Sequence, residues 1–434
     1  MNHLTKIIFI LLLVMAFQFA NGQKTNWSLQ NCIDVGIENN IGIKIQKLEV
    51  NRTEKSRVSM INELLPTVSL FGSQSYNFGS TIDPSTNGRV SSNIQYDNFY
   101  MNAQINLIDF GAIANSQKSK IAINLAKADL EIIENEYKLQ ILTQFYETLF
   151  TQELQKIQKQ QLENTRLNLI RVSKEIEIGS KPKSDLYDIQ FEYSKEENQL
   201  LETQQLFEIQ KINLFQLINY DEKINHNIIF INDIENKYDT SEIILNPKIK
   251  SAELSSKISE KELRIQRSKM YPTLTTFYQL SSFYYRPIND ADLLLSNFSD
   301  QLGNNKNQQV GLQLSVPIFN GFKNNKAINA AKIESEKSNL KVEQQKILIE
   351  QQVEIEKVNI VHFLLFEEKL ADVLLFAEAS FKTTQAKFTS GSVDSFSFSI
   401  AKNNLLTSTY NVLKNKLQHQ YTVHKINLIR TNSL

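Results

Sequence analysis

The sequence predicts a mainly α-helical fold with a small antiparallel β part. A duplicated long-helix α-barrel is expected beside a transmembrane β-barrel formed by oligomerisation, four strands per chain. Three observations predict it. The first is an approximate internal duplication. Leu65-Pro66-Thr67 and Tyr271-Pro272-Thr273 each open a strand, and Leu107-Ile108-Asp109-Phe110-Gly111 and Pro317-Ile318-Phe319-Asn320-Gly321 each close a second. The prolines lie 206 positions apart and the glycines 210, and repeats of this kind decide the architecture before any single element does. The second observation is helical periodicity that continues far past the three turns of an ordinary helix. The third is a period-two alternation in the strand segments.

In chain order, Lys6, the apolar run 7–17 and the small residues Ala20-Asn21-Gly22 have the pattern of a secretory signal peptide over 1–22, cleaved before Gln23. The other reading of that segment is a buried N-terminal helix. The first repeat is expected over 23–218. Trp27-Ser28-Leu29-Gln30 opens it, and apolar recurrences predict a helix, loosened near Asn39-Asn40, that reaches about residue 64 and is ended by Pro66. Val68, Leu70, Gly72, Gln74 and Tyr76 then face one way. In the partner strand Phe99, Met101, Ala103, Ile105 and Leu107 alternate with Tyr100, Asn102, Gln104 and Asn106. Asp83-Pro84 and Asn87-Gly88 are turn signals between them.

From 114 to about 177 there is neither proline nor glycine, and Leu130, Ile133, Tyr137, Ile141, Phe145 and Leu149 recur every three or four residues. Sixty such residues make a helix about 90 Å long, which calls for coiled-coil packing. Gly179-Ser180-Lys181-Pro182 breaks the run, and an antiparallel helix returns from Ser184-Asp185 to about 217. A linker over 219–246 leads to the second repeat, 247–428, and a tail, 429–434. The second repeat has a helix over 248–270, strands over 274–285 and 310–318, and a long helix over 326–390. Gly391-Ser392-Val393-Asp394 forms the turn, and a last helix spans 396–428. The two half-length helices, one in each repeat, can stack end to end with the returning helices to flank each long one. The loop 286–308 carries Asp290, Asp292 and Asp300 and the apolar run Leu293-Leu294-Leu295.

Strand alternation alone fits a water-soluble sandwich as well as a membrane wall, apolar to lipid and polar to a lumen. The leader and the long helices favour the wall. Four strands are fewer than the roughly eight of the smallest usual barrel, and unpaired edges are not tolerated in lipid, so several subunits must complete it. The runner-up reading is a periplasmic coiled-coil adaptor or scaffold that never spans a membrane.

Composition removes other classes. Lys plus Arg and Asp plus Glu both total 47, so nothing suggests a nucleic-acid partner. Cys32 is the single cysteine and can form neither an internal disulfide nor a redox pair. His3, His226, His362, His419 and His424 fall in no zinc motif, and neither a phosphate-binding loop nor a nucleophile elbow occurs. No catalytic residue, cofactor or metal site is expected.

The motifs just quoted, with Trp27-Ser28-Leu29 through Asn39-Asn40 and the turns Ile178-Gly179-Ser180 and Ser390-Gly391-Ser392, resemble those of the TolC-type outer membrane efflux proteins over nearly the whole mature chain. That resemblance implies an outer-membrane homotrimer with a long periplasmic extension. It also implies a passive exit duct for a tripartite efflux or type I secretion system, whose partners are a periplasmic adaptor protein and an inner-membrane transporter. The turns Gly179, Ser180, Gly391 and Ser392 would contact the adaptor. Phe110, Gly111, Phe319, Asn320 and Gly321 mark strand–helix corners at which glycine relieves a sharp bend, and the aromatics there read either as residues at the inner lipid boundary or as core aromatics at a bend. The family's acidic gate pair is missing after the second turn, where Ser397 and Ile400 stand. Asp185 and Asp188 occupy the corresponding places after the first, three apart on one helix face, and a ring of such carboxylates would concentrate cations. Asp185 can equally serve as a helix-start residue, and Asp394 is expected to cap the last helix.

Overall fold

In a computed structural model the structure describes residues 25–82, 87–91, 93–220, 228–231, 244–288 and 296–433. The leader, Asp83-Pro84, His3, His226, most of the linker, Asp290, Asp292 and Leu293-Leu294-Leu295 lie outside them. Strands β1 (Thr25–Ser28), β2 (Thr67–Asn77), β3 (Ser80–Ile82), β4 (Arg89–Ser91), β5 (Ile94–Ile108), β6 (Ile228–Ile231), β7 (Thr273–Pro287) and β8 (Asn307–Ser315) alternate with nine helices among the described residues. These are α1 (Leu29–Asn39), α2 (Ile41–Lys55), α3 (Met60–Leu64), α4 (Phe110–Glu177), α5 (Lys183–Leu217), α6 (Pro247–Ser268), α7 (Phe298–Asn304), α8 (Lys323–Thr389) and α9 (Ser395–Thr431).

The chain divides into two compact units, each drawing on both sequence repeats. One comprises the described residues up to 49 with 128–250 and 344 onward, and the other 50–127 with 251–343. In the second unit β2, β5, β7 and β8 form one antiparallel sheet in that order. In the first, β1 and β6 pair in parallel, a two-stranded element that the sequence reading did not foresee, as it did not foresee the β3–β4 hairpin. All four of these strands are three or four residues long, too short to show a period.

The long helices are the expected ones. The 68 residues of α4 and 67 of α8 correspond to about 100 Å of helix contour each. The N-terminal helix is broken twice, at Asn40 as expected and again at 56–59, where Ser59 caps α3 in a reciprocal box with Asn62 and the Val58 N–H donates to Ser119 Oγ at 3.0 Å. The last strand ends at Ser315, before the expected 318, because Pro317 has no N–H to continue a ladder. Asp394 caps α9 as anticipated, accepting the Ser397 N–H at 2.9 Å.

In the unit containing β1 and β6, Trp27, Leu29, Cys32, Ile33, Ile141, Phe145, Phe215 and Phe230 form one core with their neighbours. Trp27 meets Phe215 and Tyr220 edge-on, at 5.0 and 4.9 Å between ring centroids. The Gln152 amide both donates to and accepts from the Phe230 backbone, at 2.9 Å each way, and fixes β6 to α4. Burial pushes the Cys32 thiol up to about 12, which makes it an inert packing residue. His424 is fully buried near Tyr146 with neither ring nitrogen hydrogen-bonded, and loss of water holds its imidazole below the usual histidine range.

Two outcomes test this packing. Gly179 and Gly391 sit at φ of +79° and +75°, so Gly179→Ala or Gly391→Ala should each cost roughly 1–2 kcal/mol, read as a lower unfolding midpoint. A histidine with a lowered folded pKa favours the fold fully above its unfolded value near 6.5, and this advantage is lost as the pH falls from there towards the folded value, because the unfolded chain takes the proton first. His424→Phe should therefore leave the midpoint at pH 8 intact and flatten its decline below pH 6.5.

Candidate functional site

The four-stranded sheet sorts its side chains by polarity. Cross-strand register puts Val68, Ala103, Tyr278 and Val310 in one rung, with Leu70, Met101, Leu280 and Gln308 beside it and Ile105, Thr276 and Leu312 on its other side. The opposite face carries the rungs Ser69–Asn102–Gln279–Gln309 and Thr67–Gln104–Phe277–Gly311, then Asn106–Thr275–Gln313. The expected alternation therefore holds over the rungs from Ile105 to Met101, while towards the far end of the sheet Gln74, Gln95, Asp97 and Arg286 stand on the same face as the aliphatics. The apolar face is uncovered at the outer strands: Leu70 is 77% and Val310 78% exposed.

Both outer edges of the sheet are open among the described residues, since β2 pairs only with β5 and β8 only with β7. Neither β2 nor β8 contains a charged residue or a proline, the devices by which soluble proteins blunt a free edge. The one internal stretch of edge is treated differently. Beyond Ser281, β7 has outrun β8, and α7 fills the gap. Gln301 donates to the Tyr285 carbonyl at 3.1 Å and accepts the Tyr285 N–H at 3.0 Å, and Asn305 donates to the Phe283 carbonyl at 2.9 Å. Side-chain amides there stand in for a strand.

At the corners the two glycines act for different reasons. Gly321 has φ +65° and Phe322 +62°, a genuine left-handed bend. Gly111 is already helical. A Cβ on it would lie 2.8 Å from Ser268 Oγ, and its N–H donates to Asp109 Oδ1 at 2.8 Å, so what matters there is space beside the cap of α4. Phe110 meets Tyr271 edge-on at 5.5 Å, and Phe319 meets Phe322 at the same distance. Asn320 accepts the Lys323 N–H with its carbonyl at 3.5 Å, next to the start of α8.

The two helix turns share one geometry. Gly179 N–H donates to the Ile176 carbonyl and Ser180 N–H to that of Glu175. Gly391 and Ser392 repeat the pattern on Phe388 and Lys387, so each long helix ends in a Schellman motif. All four turn residues are exposed. The hairpins are clasped together within their unit. Lys181 Nζ lies 3.6 Å above the Phe388 ring and donates to the Phe388 carbonyl at 3.2 Å. Arg171 lies over the same ring at 5.2 Å and donates to Thr389 Oγ1 at 2.6 Å. Phe388 stacks on Phe398 at 4.7 Å in a small core with Val172 and Ile189. Asp185 is buried in the first turn of α5, with Lys181 Nζ 3.7 Å from its carboxylate. Asp188 is exposed and accepts from Ser395 Oγ at 2.5 Å. The sequence reading missed Lys181, Arg171 and Phe388. The Lys181–Phe388 contact joins positions 207 apart and has no counterpart in the repeat pattern.

A second missed cluster ties three helices in the same unit. Lys402 Nζ of α9 sits 2.6 Å from Glu196 of α5, and Thr165 of α4 donates to Glu196 at 2.5 Å and accepts from Lys402 at 3.1 Å. Lys402 and Glu196 are both buried. Among the described residues no group of histidines, cysteines and carboxylates is placed to hold a metal, and no helix is long and apolar enough to cross a membrane. Removing one partner of a buried pair strands the other charge, so Lys402→Met should lower stability by about 3–5 kcal/mol, and the double change with Glu196→Met should recover most of it. Thermal unfolding of the four proteins of that cycle checks both.

The family model described as outer membrane efflux protein matches residues 241–429. No curated protein sequence matches the chain. Among solved structures, one of CusC superposes with a TM-score of 0.80 at 14% identity, covering 95% of each chain. The outer membrane protein VceC from Vibrio cholerae gives 0.76 at 11%, covering 92% of this chain and 94% of that one. The CmeC outer membrane channel of Campylobacter jejuni gives 0.73 at 14%, covering 92% and 85%. The outer membrane efflux protein model thus covers most of the second repeat, and the fold of these solved structures is shared over nearly the whole length of the chain.

Proposed function

We propose that this protein is a passive outer-membrane channel, the exit duct of a tripartite efflux or type I secretion system, assembled as a homotrimer. The observation that carries the reading is the sheet: one bare apolar face, one polar face and two unblunted edges. Strands of 11, 15, 15 and 9 residues are long enough to cross a hydrocarbon layer, which needs about 9–11 tilted residues. In lipid every backbone group must be paired, so β2 of one copy has to meet β8 of the next until the wall closes. Such a head-to-tail contact makes a ring when the rotation closes. Three copies give twelve strands, the number that the resemblance implies. A non-spanning periplasmic scaffold would have to cover the apolar face, and the exposure of Leu70 and Val310 speaks against it.

In this reading the exposed turns at Gly179, Ser180, Gly391 and Ser392 are the surface offered to a periplasmic adaptor, and through it to an inner-membrane transporter that supplies the energy. Opening would strain the clasp of Lys181 and Arg171 on Phe388. Three copies would also gather three Asp188 carboxylates, each steadied by Ser395, with Asp185 held behind them by Lys181. That ring is the gate we propose for this chain.

Disulfide trapping tests the assembly. Leu70→Cys is combined in turn with Val310→Cys, Leu312→Cys and Leu314→Cys, since the register between copies is the unknown. One combination should give a covalent trimer in the outer-membrane fraction, while every single variant stays monomeric on a denaturing gel. A monodisperse monomer in detergent-free buffer would overturn the proposal.

A further inference from the structure

The polar face of the sheet has a property that polarity alone does not require: among the described residues of the four strands it carries no ionisable acid or base other than tyrosine. Each position on the rungs from Thr273–Ser315 up to Asn77–Ile94–Pro287 is a hydroxyl, an amide, an aromatic, glycine or an end residue such as Ile94. The charged residues of these four strands, Asp97 and Arg286, stand on the opposite face. At its centre Ser69, Asn102, Gln279 and Gln309 make one uninterrupted rung across all four strands. Asn and Gln each present an N–H donor pair and a carbonyl acceptor, so the rung can solvate an anion and a cation equally well. Where aromatics occur they pair with one another, Phe71 stacked on Tyr100 at 4.8 Å, and add no charge.

We propose that this face is a charge-neutral pore wall that admits cationic and anionic solutes alike, so that any charge selection by the channel is made outside the sheet. The inference rests on the channel reading above and deepens it by naming the solute class. Pores that choose between ions do so with rings of fixed charge. Here the nearest charge on β5, Asp97, stands on the opposite face, and it is five residues along the strand from Asn102 of the central rung, about 16 Å at 3.3 Å per residue. That exceeds the screening length of about 8 Å at physiological salt. Every further copy repeats the same rungs, so closure of the ring adds no charge to the wall.

The test uses Gln279→Cys and, as a second variant, Asn102→Cys in the full-length protein in outer membranes. The wild-type chain is the blank, because its single cysteine, Cys32, is buried. Each is treated at 0.15 M salt with a trimethylammonium and a sulfonate methanethiosulfonate, both membrane-impermeant, and the two rates are normalised to a small free thiol. The expected result is labelling by both reagents at both positions, with normalised rates within about threefold of each other, and no labelling of Leu312→Cys on the apolar face. A preference of more than tenfold for either sign at both positions overturns the neutral wall and leaves the channel reading standing. Labelling of Leu312→Cys with none at Gln279→Cys or Asn102→Cys overturns the channel reading itself, and the inference with it.

Discussion

An antiparallel sheet satisfies its backbone only as far as its last strand, and the outermost N–H and C=O groups of β2 and β8 are the constraint around which this chain is organised. Soluble proteins spend charges, prolines or a covering helix on such edges. This chain uses that last device, but only where β7 outruns β8, by placing α7 and the Gln301 amide against Tyr285. The same chain leaves β2 and β8 with plain, neutral, pairing-competent sequences. A local remedy is thus present where a neighbouring strand falls short and withheld where an identical copy could supply one. Exposed aliphatics on one face make the same point, since they are costly in water and ordinary in lipid.

The helical unit solves a different problem. A helix of nearly seventy residues presents far more surface than one chain can cover, so specificity has to come from a few fixed points. Those points are ionic and aromatic. Lys402, Glu196 and Thr165 pin α9, α5 and α4 in one register. Lys181 and Arg171 on Phe388 pin the hairpins near their turns. A buried pair of charges contributes little net stability over a hydrophobic pair of the same volume. Its effect is to penalise any slipped register, in which one charge would be left alone.

How much of this could be read beforehand follows from the range of each interaction. The strands, the long helices and the glycine turns were legible because each is a local period or a residue with a backbone reason. Val68 and Leu70 alternate, Leu130 to Leu149 recur, and Gly179 and Gly391 take positive φ. The short strands β1 and β6 were illegible because four residues carry no period. The break at 56–59 depends on Ser119, sixty-one residues away from Val58. The clasp and the Lys402 cluster join positions more than two hundred residues apart, and a lysine on a helix reads as a solvated charge until its partner is known. Gly111 shows a finer limit: its matched place in the repeat suggested a bend, and the structure gives it a packing role.

The duplication also explains why the turns match while their surroundings do not. The Schellman geometry needs only glycine at one position, so both copies keep it. The helix that follows starts differently in the two copies. Asp394 caps α9 with its side chain, whereas α5 begins at Pro182 with no side-chain cap and carries Asp185 inside its first turn, against Lys181. An aspartate spent as a cap is tied to backbone N–H groups. One set a turn further in can be shared with a lysine, and Asp188 beyond it can reach across to Ser395. The acidic side chains thus accumulate after the first turn because the second has used its aspartate to begin a helix. That asymmetry, more than any residue common to both repeats, is what distinguishes the two hairpins chemically.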